Sequence, residues 1–203
     1  LELQSLLARM HRAGVTHVAI EVSSHALDQE RTLGIKFSAA IFTNLTQDHL
    51  DYHLTLSNYF EAKAKLFKGI CRSSFAVVNN DDRYGRRLIK LTKAKVITYA
   101  IDNEADIAAK HIKFGISHTE FILTTSCQRI KYRTGLIGRH NVYNILAAVS
   151  WAVGEGIGLS VVSGALNKFS FVPGRLERIS SALGFSVFVD YAHTEDALKN
   201  VIK

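Results

Sequence analysis

The run Ser38-Ala-Ala-Ile-Phe-Thr-Asn44 is short and apolar and is followed at once by polar residues, which is typical of a strand buried inside a sheet. Three other runs share this character: His17-Val-Ala-Ile-Glu-Val-Ser23, Phe75-Ala-Val-Val-Asn79 and Val96-Ile-Thr-Tyr-Ala100. Strands that are covered on both faces by helices have such near-continuous apolar sequences. Because segments of helical periodicity separate the runs, the sequence predicts an α/β fold, with a mostly parallel sheet flanked by helices.

The segments between these runs are predicted to be helices. They cover residues 2–13, 55–70, 81–93, 140–155 and 160–168. Thr55 suits the N-cap of the second helix, because its hydroxyl can accept a hydrogen bond from the first turn. Residues 105–135 instead contain short alternating apolar runs, which predict a short antiparallel β meander.

A domain boundary is predicted at Val172-Pro173-Gly174, which contains the only proline of the chain. We expect one domain over residues 1–172 and the start of a second over residues 173–203. In the second, Phe185-Ser-Val-Phe-Val-Asp190 predicts a strand and Thr194 caps a final helix, the first βα unit of a Rossmann-like domain. We expect the first domain to be incomplete at its N terminus, because such sheets normally open with a phosphate loop and no GxxxxGKS/T motif is present.

Composition and charge exclude several classes of protein. The chain has 203 residues, is 47% hydrophobic and carries a net charge of +7, as an ordinary folded protein does. It contains no apolar stretch of membrane-spanning length, no signal peptide and no CxxC pair, so we expect a cytoplasmic protein without structural zinc. The basic excess comes without a zinc finger or an RNP-like aromatic pattern, and therefore fits an acidic small substrate better than nucleic acid.

A dense polar cluster, Thr43-Asn-Leu-Thr-Gln-Asp-His-Leu-Asp-Tyr-His53, follows the first run quoted above. Glu21 lies near the corresponding end of the preceding run. Ligands of open α/β sheets bind beyond the carboxyl ends of the strands, so these side chains are candidates to bind a divalent metal and its phosphates. A local hydrogen-bonding role for Glu21 stays open, as does a zinc site formed by His49 and His53 at i, i+4 spacing.

Lys63 has an unusual place in the helix predicted over residues 55–70. It lies on the face that carries the apolar residues Leu56, Tyr59, Phe60, Phe67 and Ile70. A charged amine is costly to bury. Either the side chain extends to solvent, or its pKa falls and the neutral amine reacts, and the pattern leaves both readings open. Glu61 and Lys65 lie on the opposite face and are predicted to form an i, i+4 ion pair.

Three later segments offer groups for a nucleotide. Gly138-Arg-His-Asn-Val-Tyr-Asn144 opens a helix, where a contact to a base or phosphate and a plain N-cap role for Asn141 both stay open. Arg175 follows a glycine at the predicted boundary, where a guanidinium is suited to phosphate and a surface role is the alternative. Asp190 ends the last predicted strand, where a carboxylate can accept hydrogen bonds from ribose hydroxyls.

Taken together, these segments resemble the Mur ligases, and among them the enzymes that make the UDP-N-acetylmuramoyl tripeptide. The matching segments run in the family's order along nearly the whole chain. They are Glu21-Val-Ser-Ser-His-Ala-Leu27 with Gln29 and Arg31, Thr43 to His53, Tyr59-Phe-Glu-Ala-Lys63 with Leu66-Phe67, Gly138-Arg-His-Asn-Val-Tyr-Asn-Ile-Leu146, Pro173-Gly-Arg-Leu-Glu177 and Val189-Asp-Tyr-Ala-His-Thr-Glu-Asp-Ala-Leu198. Each segment is moderately specific, and the ordered set is strongly specific.

The resemblance implies a role for each matching residue. Glu21 and His49 match magnesium-binding residues, and Lys63 matches a lysine that takes up CO2 to become a carbamate. These three residues are the implied catalytic and metal-binding group. The residues that match contacts to the muramoyl-dipeptide substrate are Ser23, Gln29 and Arg31. The residues that match nucleotide contacts are Asn141 for the base, Arg175 for phosphate and Asp190 for ribose, with His140 and His193 as their neighbours.

The implied reaction uses ATP and Mg2+ and has two steps. The terminal carboxylate of UDP-N-acetylmuramoyl-dipeptide attacks the γ-phosphate of ATP, and the amine of diaminopimelate or lysine then displaces phosphate from the acyl phosphate. The family's phosphate loop, its first domain and most of its last domain are not recognisable here, so we expect a fragment, inactive alone, of a monomeric enzyme. Three alternatives stay open: a related ligase acting on folate or cyanophycin, a non-catalytic basic binding module, and a metallohydrolase.

Overall fold

The computed structural model describes residues 2–179 and 184–202 of the chain. Its helices are α1 (Glu2–Arg12), α2 (Ser24–Asp28), α3 (Leu50–His53), α4 (Leu56–Gly69), α5 (Arg83–Leu91), α6 (Arg139–Gly154), α7 (Leu159–Lys168) and α8 (Glu195–Ile202). Its strands are β1 (Ala39–Phe42), β2 (Phe75–Asn79), β3 (Lys95–Ala100), β4 (Ile107–Phe114), β5 (Thr119–Thr125), β6 (Arg129–Thr134), β7 (Glu177–Ile179) and β8 (Val187–Val189). None of the described helices has the length and apolar character needed to cross a membrane.

Strands β1 to β6 form one sheet in the order of the sequence. β1, β2, β3 and β4 are parallel neighbours, whereas β4, β5 and β6 pair antiparallel. The predicted α/β class, the mostly parallel sheet and the short antiparallel meander are therefore confirmed. β8 is followed by α8 as expected, but it pairs antiparallel with β7, a strand that no sequence pattern predicts.

The strand predicted over residues 17–23 is wrong. Residues 15–23 form no ladder with any strand of the described chain, and the Val18 side chain is 44% exposed. β1 is one of the two edge strands of the described sheet. An apolar run becomes a strand only when a neighbouring strand accepts its backbone hydrogen bonds, and the run itself does not reveal whether that neighbour is present.

Two apolar clusters cover the two faces of the sheet. One lies under α6 and α7 and contains the fully buried Leu146, and the other lies under α4 and α5 and contains the fully buried Phe60. Successive residues of β2 alternate between them, with Val77 in the first cluster and Val78 in the second. The sheet is thus buried on both faces, as its continuous apolar strands require.

Helix α4 begins where the sequence predicts. The Thr55 hydroxyl accepts a hydrogen bond from the backbone N–H of Asn58 at 3.1 Å, which confirms the predicted N-cap. The predicted ion pair between Glu61 and Lys65 is wrong. Lys65 instead donates to a carboxylate oxygen of Asp28 at 2.7 Å, and Glu61 accepts from Lys68 at 2.7 Å. The reason is that α2 packs against α4 and brings a competing carboxylate to Lys65.

Helix α5 begins at Arg83, two residues later than the predicted start at Asp81. Asp82 is its N-cap and accepts hydrogen bonds from the backbone N–H groups of Tyr84 and Gly85. A Cβ atom at position 85 would lie 2.1 Å from the carbonyl oxygen of Asn79. Only glycine at position 85 allows α5 to approach the end of β2 this closely. Because Asp82 is the N-cap, the Asp81 carboxylate is left for other partners.

Candidate active site

A polar cleft opens where β1 and β2 end. It has a volume of about 290 Å³, and its wall is formed by Thr43, Asn44, Thr46, Asn79, Asp81, Asp82, Arg139, His140, Tyr143 and Asn144. Parallel strands direct their carboxyl ends to one edge of the sheet, and the N terminus of α6 adds positive partial charge there. The cleft is therefore suited to a polar, anionic small molecule.

Lys63 is half-buried between an aromatic ring and two carboxylates. Its Nζ lies 5.3 Å from the centroid of the Tyr59 ring, and Glu21 and Asp48 are near enough to attract its charge. Burial lowers the pKa of the Lys63 amine, and the two carboxylates oppose this shift only in part. The Lys63 side chain is therefore packed among these groups rather than extended to solvent, and the reaction of its amine stays a prediction.

His49 belongs to the same group of side chains. Its ring centroid lies 5.9 Å from that of Tyr59, and its Nδ1 lies 3.6 Å from a carboxylate oxygen of Asp48. Its backbone N–H also donates to Asp48 at 2.8 Å. The backbone φ of His49 is +54°, in the left-handed region, and α3 begins at the next residue. Glu21 and Asp48 thus lie near Lys63, and His49 and Lys63 are both neighbours of the Tyr59 ring.

The donor atoms of this group fit a hard divalent cation. Mg2+ prefers oxygen ligands, and Glu21 and Asp48 contribute two carboxylates near the Lys63 amine. Among the described residues, no three His, Cys, Asp or Glu side chains lie close enough together to hold a metal by themselves. The zinc site suggested by His49 and His53 has no such third ligand.

A cluster of aromatic rings that no sequence pattern predicts lies beside this group. The ring centroid of His25, in α2, lies 4.2 Å from that of Tyr52. His53 stacks on Tyr59 with 5.2 Å between centroids, and its Nε2 lies 2.9 Å from the hydroxyl oxygen of Ser24. Burial, followed by repulsion from His25, lowers the pKa of the His53 imidazole. The polar cluster at residues 43–53 hints at these rings, but only the fold shows that α2 completes them.

The residues implied in substrate binding flank α2. Ser23 is the N-cap of this helix, and its hydroxyl accepts a hydrogen bond from the backbone N–H of Ala26 at 3.1 Å. Gln29 and Arg31 follow the helix and are exposed, and the guanidinium of Arg31 donates to the side-chain oxygen of Gln29. A guanidinium has five N–H donors, so this bond leaves most of them for an anion.

The residues implied in nucleotide binding are partly brought together. His140 is half-buried close to Asp190 and Arg175. Burial, the largest influence, lowers the pKa of the His140 imidazole, Asp190 opposes this shift, and Arg175 reinforces it. The Asp190 carboxylate accepts hydrogen bonds from the backbone N–H groups of Leu176 at 2.8 Å and Ala192 at 2.7 Å. Asp190 therefore connects the residue before β7, Leu176, with the segment that follows β8.

Asn141 and His193 have other partners. Asn141 is 2% exposed, and its side-chain nitrogen donates to the carbonyl oxygen of Ile137 at 2.8 Å. The N-cap role for Asn141 is wrong, because the N-cap of α6 is Gly138. In the same helix, Asn144 lines the cleft, and sequence reasoning missed it. His193 is exposed, and its Nδ1 lies 2.8 Å from a backbone carbonyl oxygen two residues earlier.

Asp81 has a larger role than the helix start that its sequence position suggests. Its carboxylate accepts hydrogen bonds from the backbone N–H groups of Ile101 at 2.6 Å, Asp102 at 3.0 Å and Asn103 at 2.8 Å, and from the Tyr143 hydroxyl at 2.8 Å. Burial alone would raise the pKa of Asp81, but these bonds outweigh it and lower the pKa to about 2. Asp81 thereby ties β2, the loop after β3 and α6 into one wall of the cleft.

The fold and the site define a class of protein. A mostly parallel sheet with a polar cleft at the carboxyl ends of its strands is the architecture of α/β domains that bind nucleotides. Within this class, the chain belongs to the Mur ligase family, because the family model described as the Mur ligase middle domain matches residues 1–152.

Individual relatives carry a more specific name. The chain is 43% identical to the UDP-N-acetylmuramoyl-L-alanyl-D-glutamate--2,6-diaminopimelate ligase of Geobacter sulfurreducens and 44% identical to that of Solibacter usitatus, over all of this chain and 41% of each relative. A solved ligase structure of the same name superposes with a TM-score of 0.85 at 34% identity, over all of this chain and 42% of that one. MurF from Acinetobacter baumannii, at 22% identity, shares the fold with a TM-score of 0.73 over 80% of this chain and 36% of its own. The chain thus spans about two-fifths of the length of its curated relatives.

Proposed function

We propose that this chain is the central part of an ATP-dependent ligase that joins 2,6-diaminopimelate to UDP-N-acetylmuramoyl-L-alanyl-D-glutamate. The relatives described above carry the name of this reaction. The observation that carries the proposal is the half-buried Lys63 amine, which lies near Glu21 and Asp48 and shares the Tyr59 ring as a neighbour with His49. Burial that lowers the pKa of a lysine raises the share of its neutral amine, which is the form that can react as a nucleophile.

Lys63 is proposed to be carbamylated. Its neutral amine forms an N–C bond to CO2 as one C–O π bond opens, and the nitrogen loses a proton to water, which leaves an anion with two oxygen donors. The burial that lowers the pKa of Lys63 favours this reaction, because only the neutral amine is nucleophilic. The carbamate, Glu21 and His49 would then hold Mg2+. Bound Mg2+ offsets negative charge on the transferring phosphoryl group.

The substrate is proposed to lie between this group and the residues that follow α2. Gln29 and Arg31 are exposed as a bonded pair and offer amide and guanidinium donors to its acidic groups, with Ser23 at the start of the same helix. A guanidinium is suited to carboxylates because two of its N–H groups can bond both carboxylate oxygens. These residues would orient the terminal carboxylate for attack on the γ-phosphate of ATP.

The polar cleft is the proposed site of the nucleotide. His140 and Asn144 line it, and Arg175 and Asp190 lie next to His140. The Arg175 guanidinium would bind phosphate and the Asp190 carboxylate would accept from ribose. Asn141 and His193 would take part only after changing the bonds that they make here.

The domain division and the setting of the protein are part of the same proposal. We propose that residues 1–172 form the central ATP-binding domain and that residues 173–203 begin the domain that receives the amino acid. The complete protein would be monomeric and cytoplasmic, and it would bind no nucleic acid.

The test is phosphate release by the full-length protein. ATP, Mg2+ and 2,6-diaminopimelate are supplied with and without UDP-N-acetylmuramoyl-L-alanyl-D-glutamate, and a folate with glutamate serves as the rival substrate pair. We expect turnover only with the muramoyl substrate. Turnover with the folate pair alone, or none with either, would overturn the proposal. A carbonyl NMR signal from 13C-bicarbonate that is lost in Lys63→Ala tests the carbamate separately.

A further inference from the structure

Tyr52, in α3, lies at the centre of a chain of hydrogen bonds that leads to Gln29 and Arg31. Its hydroxyl donates to a carboxylate oxygen of Asp28 at 3.1 Å and accepts from the side-chain nitrogen of Gln29 at 3.4 Å. The side-chain oxygen of Gln29 in turn accepts from Arg31. All these donors point in one direction, from the guanidinium toward the carboxylate, so none can reverse without breaking a neighbouring bond.

The acidic end of this chain is anchored to a different helix. Lys65, in α4, donates to the second carboxylate oxygen of Asp28 at 2.7 Å. The hydrogen bonds from Lys65 and Tyr52 lower the pKa of the Asp28 carboxyl, which therefore stays an acceptor near neutral pH. Because α2, α3 and α4 all contribute to this chain, the position of Gln29 depends on how the three helices pack together.

The ring of Tyr52 is held on two sides. Its centroid lies 4.2 Å from that of His25 and 4.8 Å from that of His53. His53 is buried and is itself fixed through the Ser24 hydroxyl. A ring held in this way directs its hydroxyl at one point, which is the gap between Asp28 and Gln29.

The Tyr52 hydroxyl and the Arg31 guanidinium together fix which way the Gln29 amide faces. With Tyr52 in place, the amide nitrogen bonds the hydroxyl and the amide oxygen bonds Arg31. An amide has one donor and one acceptor end, so turning it would set its NH2 group against the guanidinium. Without the hydroxyl, this preference is weakened and Arg31 loses a fixed partner.

We propose that Tyr52 is a positioning residue for the muramoyl-dipeptide, acting through Gln29 to hold Arg31 ready for an acidic group of that substrate. This inference rests on the proposed function. The phenol need not touch the substrate, and it contributes by fixing the direction of two side chains that do.

The test compares Tyr52→Phe with Tyr84→Phe in the full-length protein. Both variants lose one hydroxyl and keep the ring, but the Tyr84 hydroxyl only accepts a bond from Arg83 on α5. We expect Tyr52→Phe to raise the KM for the muramoyl substrate about fivefold, which is the loss of affinity that removal of one ordinary hydrogen bond causes. Its KM for ATP and its kcat should stay within about twofold of the unsubstituted protein, and Tyr84→Phe should change none of these constants.

A second variant tests the route. In Asp28→Asn the acceptor for Tyr52 loses its charge, so the KM for the muramoyl substrate should be higher than in the unsubstituted protein. The double variant with Tyr52→Phe should have a KM only slightly higher than that of Asp28→Asn. Additive effects, an unchanged KM in Tyr52→Phe, or equal losses in every constant together with a lower Tm would overturn the inference. Absence of turnover in the unsubstituted protein would instead overturn the proposed function, and the substrate role of Tyr52 with it.

Discussion

Lys63 and Asp81 are both charged, half-buried residues near the carboxyl ends of β1 and β2, but their surroundings differ. The Asp81 carboxylate accepts four hydrogen bonds from the backbone and the Tyr143 hydroxyl together, and its pKa falls to about 2. Among the described residues, Lys63 donates no hydrogen bond. Burial lowers the pKa of its amine, which favours the neutral form. A charge whose hydrogen-bonding capacity is filled holds the structure together, whereas a group that makes no hydrogen bond is available for chemistry.

Replacing Lys63 should have the largest effect. Lys63→Gln keeps the length and polarity of the side chain but removes the nucleophilic amine, so the carbamate and the oxygen ligands that it supplies are lost. We expect muramoyl-dependent phosphate release by the full-length protein to fall on the order of 10³-fold, with stability unchanged or raised.

The matched control is Lys68→Gln on the same helix. Lys68 is exposed and pairs only with Glu61, so its replacement should leave turnover within about twofold. Equal losses in the two variants would mean that the lysine positions of α4 matter for folding, and the contrast with Asp81 would then disappear.

Replacing Asp81 should weaken the fold. Asp81→Asn loses the charge that five donors share and introduces an NH2 group that faces backbone N–H groups. We expect the free energy of unfolding in urea to fall by about 2 to 3 kcal/mol. A change below about 0.5 kcal/mol would show that the filled carboxylate adds little to stability.

The same carboxylate should give the stability a pH dependence. Its folded pKa of about 2 lies below the unfolded value of about 4, so its stabilising contribution is complete above pH 4 and is lost as the pH falls toward 2. The difference in unfolding free energy between the unsubstituted protein and Asp81→Asn should shrink over that window by about 1 kcal/mol, allowing for solvent screening. A difference that stays constant from pH 6 to pH 2 would contradict this assignment.

Replacing Asp102 should have the smallest effect. Asp102 forms an exposed ion pair with Arg139, and its own side chain is 63% exposed. Because exposed pairs contribute little, Asp102→Asn should change the unfolding free energy by less than about 0.5 kcal/mol. The measurement, made by the same urea titration, also serves as the matched control for Asp81→Asn.

Local signals predicted much of the sheet and its helices. The bounds of β2, Phe75–Asn79, match the predicted run, and the Thr55 cap of α4 was predicted from one residue type. Both depend on neighbours in sequence. The run at residues 17–23 looked equally strand-like and was wrong, because strand formation depends on a partner elsewhere in the chain.

Single residues of the site could be predicted from the sequence, but the contacts between residues of different helices could not. The apolar face of α4 singled out Lys63, and the resemblance to Mur ligases linked it with Glu21. No periodicity connects Asp81 with Tyr143 or Tyr52 with Asp28, since these contacts depend on how helices pack. The Glu61–Lys65 pair failed for the same reason: the nearest partner in sequence was replaced by one from another helix.

The four-residue helix α3 is bounded by two backbone conformations that side chains other than glycine rarely adopt. The φ angle is +54° at His49 and +65° at Leu54, and the N–H of Thr55 bonds the carbonyl of His53 at 2.7 Å. Each such residue costs on the order of 1 kcal/mol, which the surrounding contacts must offset. The backbone of α3 is thus pre-organised. A ligand that binds here would lose little affinity to the entropy of ordering this segment. Its affinity would therefore depend on the side chains that α3 presents.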